Sequence, residues 1–210
     1  MKLMIIGATG KQGSKLLLEA QKRGHEVTAV VRDKKKLVNT DCRIIEKDLF
    51  DLTYDDLKEN DAIISAFGTW VPEKPLLHKE VAKHLADLLS GKSNRLLIVG
   101  GAGSLYVDSS HTQRLMETPD FPKEYYPTAS NMSLALDELR TRDDVNWTYL
   151  SPASFFDEKG ERTGKYRLGG EEYFTNDKGE SYISYADYAI AMIDEAEKGN
   201  HIRQRISVIS

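Results

Sequence analysis

The sequence predicts a doubly wound α/β fold with a mostly parallel sheet, helices on both faces and a small hairpin and loop region towards the C-terminus. Short apolar runs alternate with helical patterns from the first residues onward, which indicates successive β–α units. The runs are continuously apolar, as expected for parallel strands covered on both faces. A glycine-rich turn, GATGKQG, joins the first run to the first helix. We expect one domain over residues 1–210.

The strands and helices of the first 152 residues follow one another without a linker. Strands are predicted at 2–6, 26–31, 42–46, 61–68, 95–101 and 146–152, with helices at 12–23, 34–37, directly after Thr53, at 76–89 and around 134–140. The first helix stops at Gly24, and Thr53 and Asp56 have the spacing of an N-cap and its N3 partner.

The pattern changes after Pro152. Residues 157–181 are polar and rich in glycine, which predicts a hairpin and loops. The run SYADYAIAMIDEAEKG predicts a closing helix capped by Ser184 and Asp187, and RQRISVI predicts a last strand.

Composition argues against several classes of partner. A net charge of −4 predicts neither a nucleic-acid groove nor an anionic membrane as the main partner. No stretch approaches the roughly 20 apolar residues that span a bilayer. The single cysteine, Cys42, excludes an intramolecular disulfide, indicates a reducing compartment and is expected to be a buried, inert thiol. The sequence predicts a cytoplasmic monomer or homodimer that acts on a small molecule, with no metal site.

The turn GATGKQG is the strongest functional signal in the chain. Its order of strand, glycine turn and helix is the context of a dinucleotide fingerprint, and the spacing is not that of a P-loop. Gly7 permits the tight turn, Gly10 lets backbone approach a pyrophosphate, and Gly13 lets the helix pack closely on the strand. A turn that needs glycines only for its shape is the alternative. The candidate phosphate loop comprises Gly7, Thr9, Gly10, Lys11, Gln12 and Gly13.

The end of the second strand indicates which dinucleotide is bound. A carboxylate at this place suits the ribose hydroxyl of NAD(H), whereas Arg32 is a planar donor suited to the 2′-phosphate of NADP(H). We expect NADP(H) over NAD(H). Asp33 follows directly and keeps NAD(H) open, and a solvated helix start is the alternative for Arg32 and the lysines at 34–36.

Five motifs together resemble a known superfamily. They are GATGxxG, the arginine after the second strand, KDLFD, VGGAGSL and ISYADYA. The chain resembles the atypical short-chain dehydrogenases/reductases, and within them the group of NAD(P)H-flavin reductases related to biliverdin-IXβ reductase and to redox sensors of the nitrogen-metabolite-repressor type. The resemblance covers essentially the whole chain and implies a Rossmann-type fold.

The resemblance also implies further cofactor contacts. Asp48 and Leu49 would lie near the adenine, with a turn cap as the alternative for Asp48. The segment at 65–68 would line the ribose, and the segment at 151–155 would lie near the nicotinamide, with the core as the alternative for Phe155 and Phe156. The implied contacts beyond the phosphate loop are Asp48, Leu49, Ala66, Phe67, Gly68, Gly100, Gly101, Ser151, Pro152 and Ala153.

A proton-transfer pair typical of the superfamily is missing. Its members that reduce carbonyls use Tyr-x-x-x-Lys, but Ser130 stands four residues after Tyr126. The one such motif, Tyr54 to Lys58, falls on the adenine side. The catalytic candidates are Tyr126, Ser104 and His111, for which packing or surface roles are the alternative.

The missing lysine favours an acceptor that needs no side-chain proton. We therefore expect an NADPH-dependent reductase that passes hydride to a flavin, FMN or FAD, or to a similar planar acceptor. A redox sensor that binds NADP(H) without turning it over is the first alternative. A sugar-nucleotide epimerase is the second, disfavoured by the same absence. No zinc spacing and no Gly-x-Ser-x-Gly elbow is present.

Overall fold

The computed structural model describes residues 1–37, 41–69 and 77–210. Their strands are β1 (Lys2–Ile6), β2 (Glu26–Val31), β3 (Arg43–Glu46), β4 (Ala62–Ser65), β5 (Arg95–Val99), β6 (Asn146–Ser151), β7 (Phe155–Asp157), β8 (Arg167–Gly169), β9 (Tyr182–Ser184) and β10 (Gln204–Ile209). The α-helices are α1 (Lys11–Lys22), α2 (Tyr54–Leu57), α3 (Leu77–Leu88), α4 (Tyr126–Arg140) and α5 (Tyr185–Lys198). Short 3₁₀ turns lie at Lys34–Lys36, Leu49–Asp51 and Leu115–Glu117.

Eight strands form one sheet in the order β3-β2-β1-β4-β5-β6-β10-β8. Neighbouring strands are parallel except for β8, which runs antiparallel to β10. The strand order reverses between β1 and β4, so the chain leaves β1 towards β2 on one side and returns to β4 on the other. Ligands bind at such a switch point, outside the carboxyl ends of the strands.

Alternate residues of each central strand enter two separate cores. On β1, Leu3 and Ile5 pack with α1 and α5, whereas Met4 and Ile6 pack with α3 and α4. All four side chains are buried. Helices therefore cover both faces, and the predicted doubly wound α/β fold is confirmed.

Local capping explains where the helices begin and end. Gly24 follows α1 with a φ of +77°. Thr53 and Asp56 form the predicted capping box of α2, with 2.9 Å between the Thr53 nitrogen and an Asp56 carboxylate oxygen. Ser184 accepts from the Asp187 N–H at 3.0 Å and caps α5. The Asp187 carboxylate has another role, since it accepts from the backbone N–H groups of Thr163 and Gly164.

Three expectations need correction. The helix expected around 134–140 begins earlier, at Tyr126. Pro127 lies in its first turn, where proline fits a helix because no backbone N–H is needed there. The loop-rich region forms, but its strands do not pair as a hairpin: β7 pairs parallel with β9, and β8 joins the edge of the large sheet. Cys42 is half-buried where we expected full burial.

Two further expectations concern the start of α3 and the absence of a membrane-spanning segment. Position 76, the expected first residue of the third long helix, lies outside the described residues. Among the helices described, none has the length and apolar character needed to cross a bilayer.

Candidate functional site

The glycine turn forms a compact loop between β1 and α1 at the carboxyl edge of the sheet. Gly7 has a φ of +78°, a left-handed conformation that glycine adopts without strain. Its carbonyl oxygen accepts a hydrogen bond of 2.9 Å from the Gly10 N–H. A Cβ on Gly13 would overlap the Gly7 carbonyl group, lying 2.8 Å from its carbon atom. Gly7 thus makes the turn, and Gly13 allows the helix to start directly against it.

The first turn of α1 fits an anion. Gly10 is the N-cap, so no side chain accepts from the N–H groups of that turn, and the turn holds no acidic residue. The Ser14 backbone N–H donates to the Gly10 carbonyl at 2.9 Å, which leaves the N–H groups of residues 11–13 at the open helix end. The helix dipole adds partial positive charge there. Helix starts of this kind bind phosphates.

Side chains of the loop contact the C-terminal region. Lys11 pairs with Glu158, with 2.5 Å between Nζ and Oε2, and this hydrogen bond raises the pKa of Lys11. Gln12 is buried and donates through Nε2 to the Tyr185 carbonyl oxygen at 3.2 Å. The Gln12 Oε1 has no hydrogen-bond partner among the described residues. Thr9 is exposed. The C-terminal region therefore borders the loop.

Charged side chains cluster directly after β2. Arg32 is exposed at the end of the strand. Asp33 accepts from the Lys35 N–H at 3.0 Å and caps the turn at Lys34–Lys36. Lys34 pairs with Glu46, with 3.2 Å between Nζ and Oε2. Asp33 and Lys34 are thus engaged locally, and Arg32 is exposed at the strand end.

The residues expected near the adenine lie directly after β3. Asp48 accepts from the Phe50 N–H at 3.1 Å and caps the turn at Leu49–Asp51. Leu49 is buried, and its carbonyl oxygen is 3.1 Å from the His84 Nε2. Asp48 therefore caps a turn, and adenine contacts for Asp48 and Leu49 stay predictions.

The expected ribose segment meets the glycine loop at the switch point. Ala66, Phe67 and Gly68 follow β4 directly. A Cβ on Gly7 would lie only 3.0 Å from the Ala66 carbonyl oxygen, so the two backbones are in close contact. This approach joins the loop after β1 to the segment after β4 at one edge of the sheet.

Two of the expected cofactor-binding residues, Gly100 and Gly101, lie against a buried tyrosine. A Cβ on Gly100 would lie 2.7 Å from the Tyr149 Cζ atom, and the Gly101 N–H donates to the Tyr149 hydroxyl at 3.2 Å. Gly100 therefore makes room for the Tyr149 ring, whereas a Cβ on Gly101 would meet the Met132 side chain. Ser151 at the end of β6 is buried, as are Pro152 and Ala153 after it.

The three catalytic candidates lie in different surroundings. Tyr126 is the first residue of α4 and is 47% exposed. Ser104 is buried, and its carbonyl oxygen accepts from Arg205 at 3.4 Å. His111 stacks on Tyr106, with ring centroids 4.6 Å apart and planes at 7°. Among the hydrogen bonds of the described residues, none joins two of these candidates.

Sequence reasoning missed two buried polar rings beneath these loops. Tyr149 donates to the Met132 carbonyl at 3.2 Å, and burial raises the pKa of Tyr149 to about 12. His78 on α3 is buried beside Phe67. The available signal was its position three residues before Val81, on the apolar stripe of a helix where a polar residue is unexpected.

Comparison with known proteins identifies the family of this chain. A family model described as NAD(P)H-binding matches residues 7–198. The chain belongs to this NAD(P)H-binding family. The uncharacterized protein YwnB of Bacillus subtilis is 53% identical over 211 residues, which cover 100% of this chain and 99% of YwnB.

Solved structures of the family agree. The crystal structure of a candidate NADH-flavin reductase from Streptococcus pneumoniae is 51% identical, covers 100% of this chain and 99% of its own, and superposes with a TM-score of 0.95. A candidate epimerase from Bacteroides thetaiotaomicron is 36% identical, covers 99% of this chain and 96% of its own, and gives a TM-score of 0.87. The predicted Rossmann-type fold and NAD(P)H-dependent oxidoreductase class are confirmed.

Proposed function

We propose that this protein is an NADPH-dependent reductase that passes hydride directly to a flavin or a similar planar acceptor. The observation that carries the proposal is the composition of α4. This helix contains no lysine, and Ser130 stands four residues after Tyr126. A carbonyl reductase or epimerase of this superfamily would use a proton relay there, worth about 10²–10⁴-fold in rate. A flavin needs no such relay, because solvent can protonate its reduced ring.

The reaction balances without a protein acid. The reduced nicotinamide, when bound, supplies a hydride. A flavin acceptor takes that hydride at N5 and a proton from water at N1, so NADPH, H⁺ and oxidised flavin give NADP⁺ and two-electron-reduced flavin. The protein would bind and orient the cofactor: the N–H groups of residues 11–13 would hold its phosphates, and Ala66–Gly68 and Ser151–Ala153 would border the rest of it.

Exposed rings at the same edge of the sheet support a planar acceptor. Tyr126 is 47% exposed at the start of α4, and Phe155 is 62% exposed shortly after β6. Aromatic faces of this kind bind flat, conjugated rings by offset stacking. The Streptococcus pneumoniae relative, a candidate NADH-flavin reductase, supports a flavin as that ring.

Arg32 supports NADP(H) as the preferred cofactor. It is exposed at the carboxyl end of β2, where a dinucleotide fold recognises the ribose 2′ position. Asp33, the carboxylate that would favour NAD(H), already caps a local turn. We therefore assign the 2′-phosphate to Arg32.

Arg32→Asp tests this assignment. We expect NADPH affinity to fall about 10–100-fold, because a charge-assisted hydrogen bond is lost and an acid faces the phosphate. NADH affinity should stay near the wild-type value. Lys178→Asp makes the same charge change at an exposed residue of a distant turn and is the control. An unchanged NADPH-to-NADH preference in the Arg32 variant, measured by cofactor fluorescence, would remove Arg32 from the 2′-phosphate site.

A steady-state acceptor panel tests the reaction. NADPH oxidation is followed with FMN, FAD, quinones, aldehydes and nucleotide sugars, each against a protein-free control. We expect saturable oxidation with flavins and none with aldehydes. Tight NADPH binding without oxidation by any acceptor would favour the sensor, and turnover of nucleotide sugars would favour the epimerase.

A further inference from the structure

A buried histidine lies beneath the segment that follows β4. His78 is 9% exposed near the start of α3, and its Nε2 atom is buried without a hydrogen-bond partner in the described part of the chain. With Ser65, Met132 and Tyr149 it lines a cavity of about 10 Å³ at the carboxyl ends of β4 and β5. Buried polar atoms without a hydrogen-bond partner are rare, so the unpaired Nε2 of His78 needs an explanation.

The other ring nitrogen holds the backbone of the segment above. Burial lowers the pKa of His78, and a hydrogen bond to the Thr69 backbone only partly offsets that effect. Since Nε2 has no partner in the described part of the chain, we assign this bond to Nδ1 as donor and to the Thr69 carbonyl as acceptor. The imidazole is therefore neutral, with its proton on Nδ1 and a lone pair on Nε2.

The same ring packs against the other side of the segment. Phe67 meets His78 edge-on, with ring centroids 5.3 Å apart and planes at 69°. His78 thus touches both residues that flank Gly68. We propose that His78 is a positioning residue that holds Ala66–Thr69 in the shape that binds the dinucleotide, while one water molecule in the cavity donates to its Nε2. The inference rests on the proposed cofactor contacts of Ala66–Gly68.

The cavity suits one water molecule. A volume of about 10 Å³ is close to the minimum that a single water occupies. A buried water needs about two to four polar partners. The Ser65 and Tyr149 side chains line the cavity beside His78 and carry hydroxyl groups that can supply the remaining partners.

Nitrogen NMR of histidine-labelled wild-type protein tests the arrangement without any substitution. We expect the His78 ring to be neutral at pH 7 with the proton on Nδ1, and its nitrogen signals to shift when NADPH saturates the protein. A proton on Nε2, or signals that NADPH leaves unmoved, would overturn the proposal.

Two matched substitutions separate positioning from packing. His78→Asn keeps an amide donor at the place of Nδ1, whereas His78→Gln moves the amide to the place of Nε2 and loses the bond to Thr69. We expect His78→Gln to weaken NADPH binding about 3–10-fold, the effect of one neutral hydrogen bond, and His78→Asn to bind nearly as wild type. Val81→Ala, which enlarges the same cavity from the same helix, should lower the melting temperature and spare the NADPH Kd.

The outcomes are distinguishable. Equal NADPH affinity in the two histidine variants would contradict a positioning role. So would a loss of NADPH affinity in Val81→Ala as large as that in His78→Gln. If His78→Gln does not fold, the wild-type NMR result decides. Because NADPH binding is read without an acceptor, a wild-type protein that binds NADPH but reduces no flavin would overturn the proposed reaction and leave the role of His78 intact.

Discussion

Glu171→Ala is expected to lower the free energy of unfolding by about 3 kcal/mol, since it leaves a buried charge without its partner. The Arg205 side chain on β10 is fully buried. Its guanidinium pairs with the Glu171 carboxylate and also donates to the Glu171 carbonyl oxygen at 2.9 Å. Arg140, at the end of α4, pairs with the same carboxylate at 2.7 Å. Without Glu171, two cations face each other across a site closed to solvent on the Arg205 side.

Backbone hydrogen bonds also join Glu171 and its neighbours to the loop that carries Tyr106. The Tyr106 N–H donates to the Glu171 carbonyl oxygen at 3.0 Å, and the Tyr173 N–H donates to the Tyr106 carbonyl oxygen at 2.8 Å. The loop that carries Ser104 and His111 is therefore tied to the loop after β8. Chemical denaturation of Glu171→Ala and of wild type measures the loss in free energy of unfolding. Glu171→Leu combined with Arg205→Met is the control, and it should recover most of the stability because no charge remains buried.

Acid should reduce the effect of the Glu171 substitution. Burial raises the pKa of Glu171, but the charge and hydrogen bonds of Arg205, with those of Arg140, outweigh it and hold the pKa below its usual range. A carboxylate with a lowered pKa contributes stability at neutral pH and loses it as the pH falls through its folded-state pKa. The difference in unfolding free energy between wild type and Glu171→Ala should therefore narrow below about pH 4. A difference independent of pH would show that the ion pair is not its source.

Gly13→Ala is expected to lower the free energy of unfolding by about 1–3 kcal/mol and to abolish measurable NADPH binding. The added Cβ would overlap the Gly7 carbonyl group and lie 3.1 Å from the Ala8 Cα. Both neighbours are backbone atoms, so α1 can accommodate the methyl group only by moving away from the turn. The N–H groups of residues 11–13 would then leave the place where they meet phosphates.

Gly170→Ala is the matched control for Gly13→Ala. A Cβ on Gly170 meets no atom within 4 Å, and the residue needs no left-handed conformation. Thermal unfolding and NADPH fluorescence should both match wild type for this variant. NADPH binding by a folded Gly13→Ala protein with wild-type affinity would remove the close helix–turn packing from the cofactor site.

The features of the fold and of the candidate site that depend on neighbouring residues were predictable from the sequence. The glycine turn and the Thr53 capping box each depend on fewer than ten consecutive residues, and each has the expected local geometry. Local sterics fix such features whatever the rest of the chain does. The role of Arg32 at the end of β2 stays a prediction.

The parts set by distant contacts were not predictable. The Gln12 side chain bonds to a carbonyl 173 residues away, and Asp187 binds backbone 24 and 23 residues before it. The parallel pairing of β7 with β9 also depends on how the C-terminal region folds back on the sheet. A sequence pattern reports burial and capping, but it does not report which remote group meets a side chain.

Anaerobic single-turnover stopped flow tests direct hydride transfer most directly. FMN is mixed with protein saturated with NADPH, or with NADPH deuterated at the transferred position, and flavin bleaching is followed. The proposed function predicts bleaching faster than the protein-free rate and slowed by deuterium. Bleaching at the protein-free rate, with NADPH shown to be bound, would contradict it.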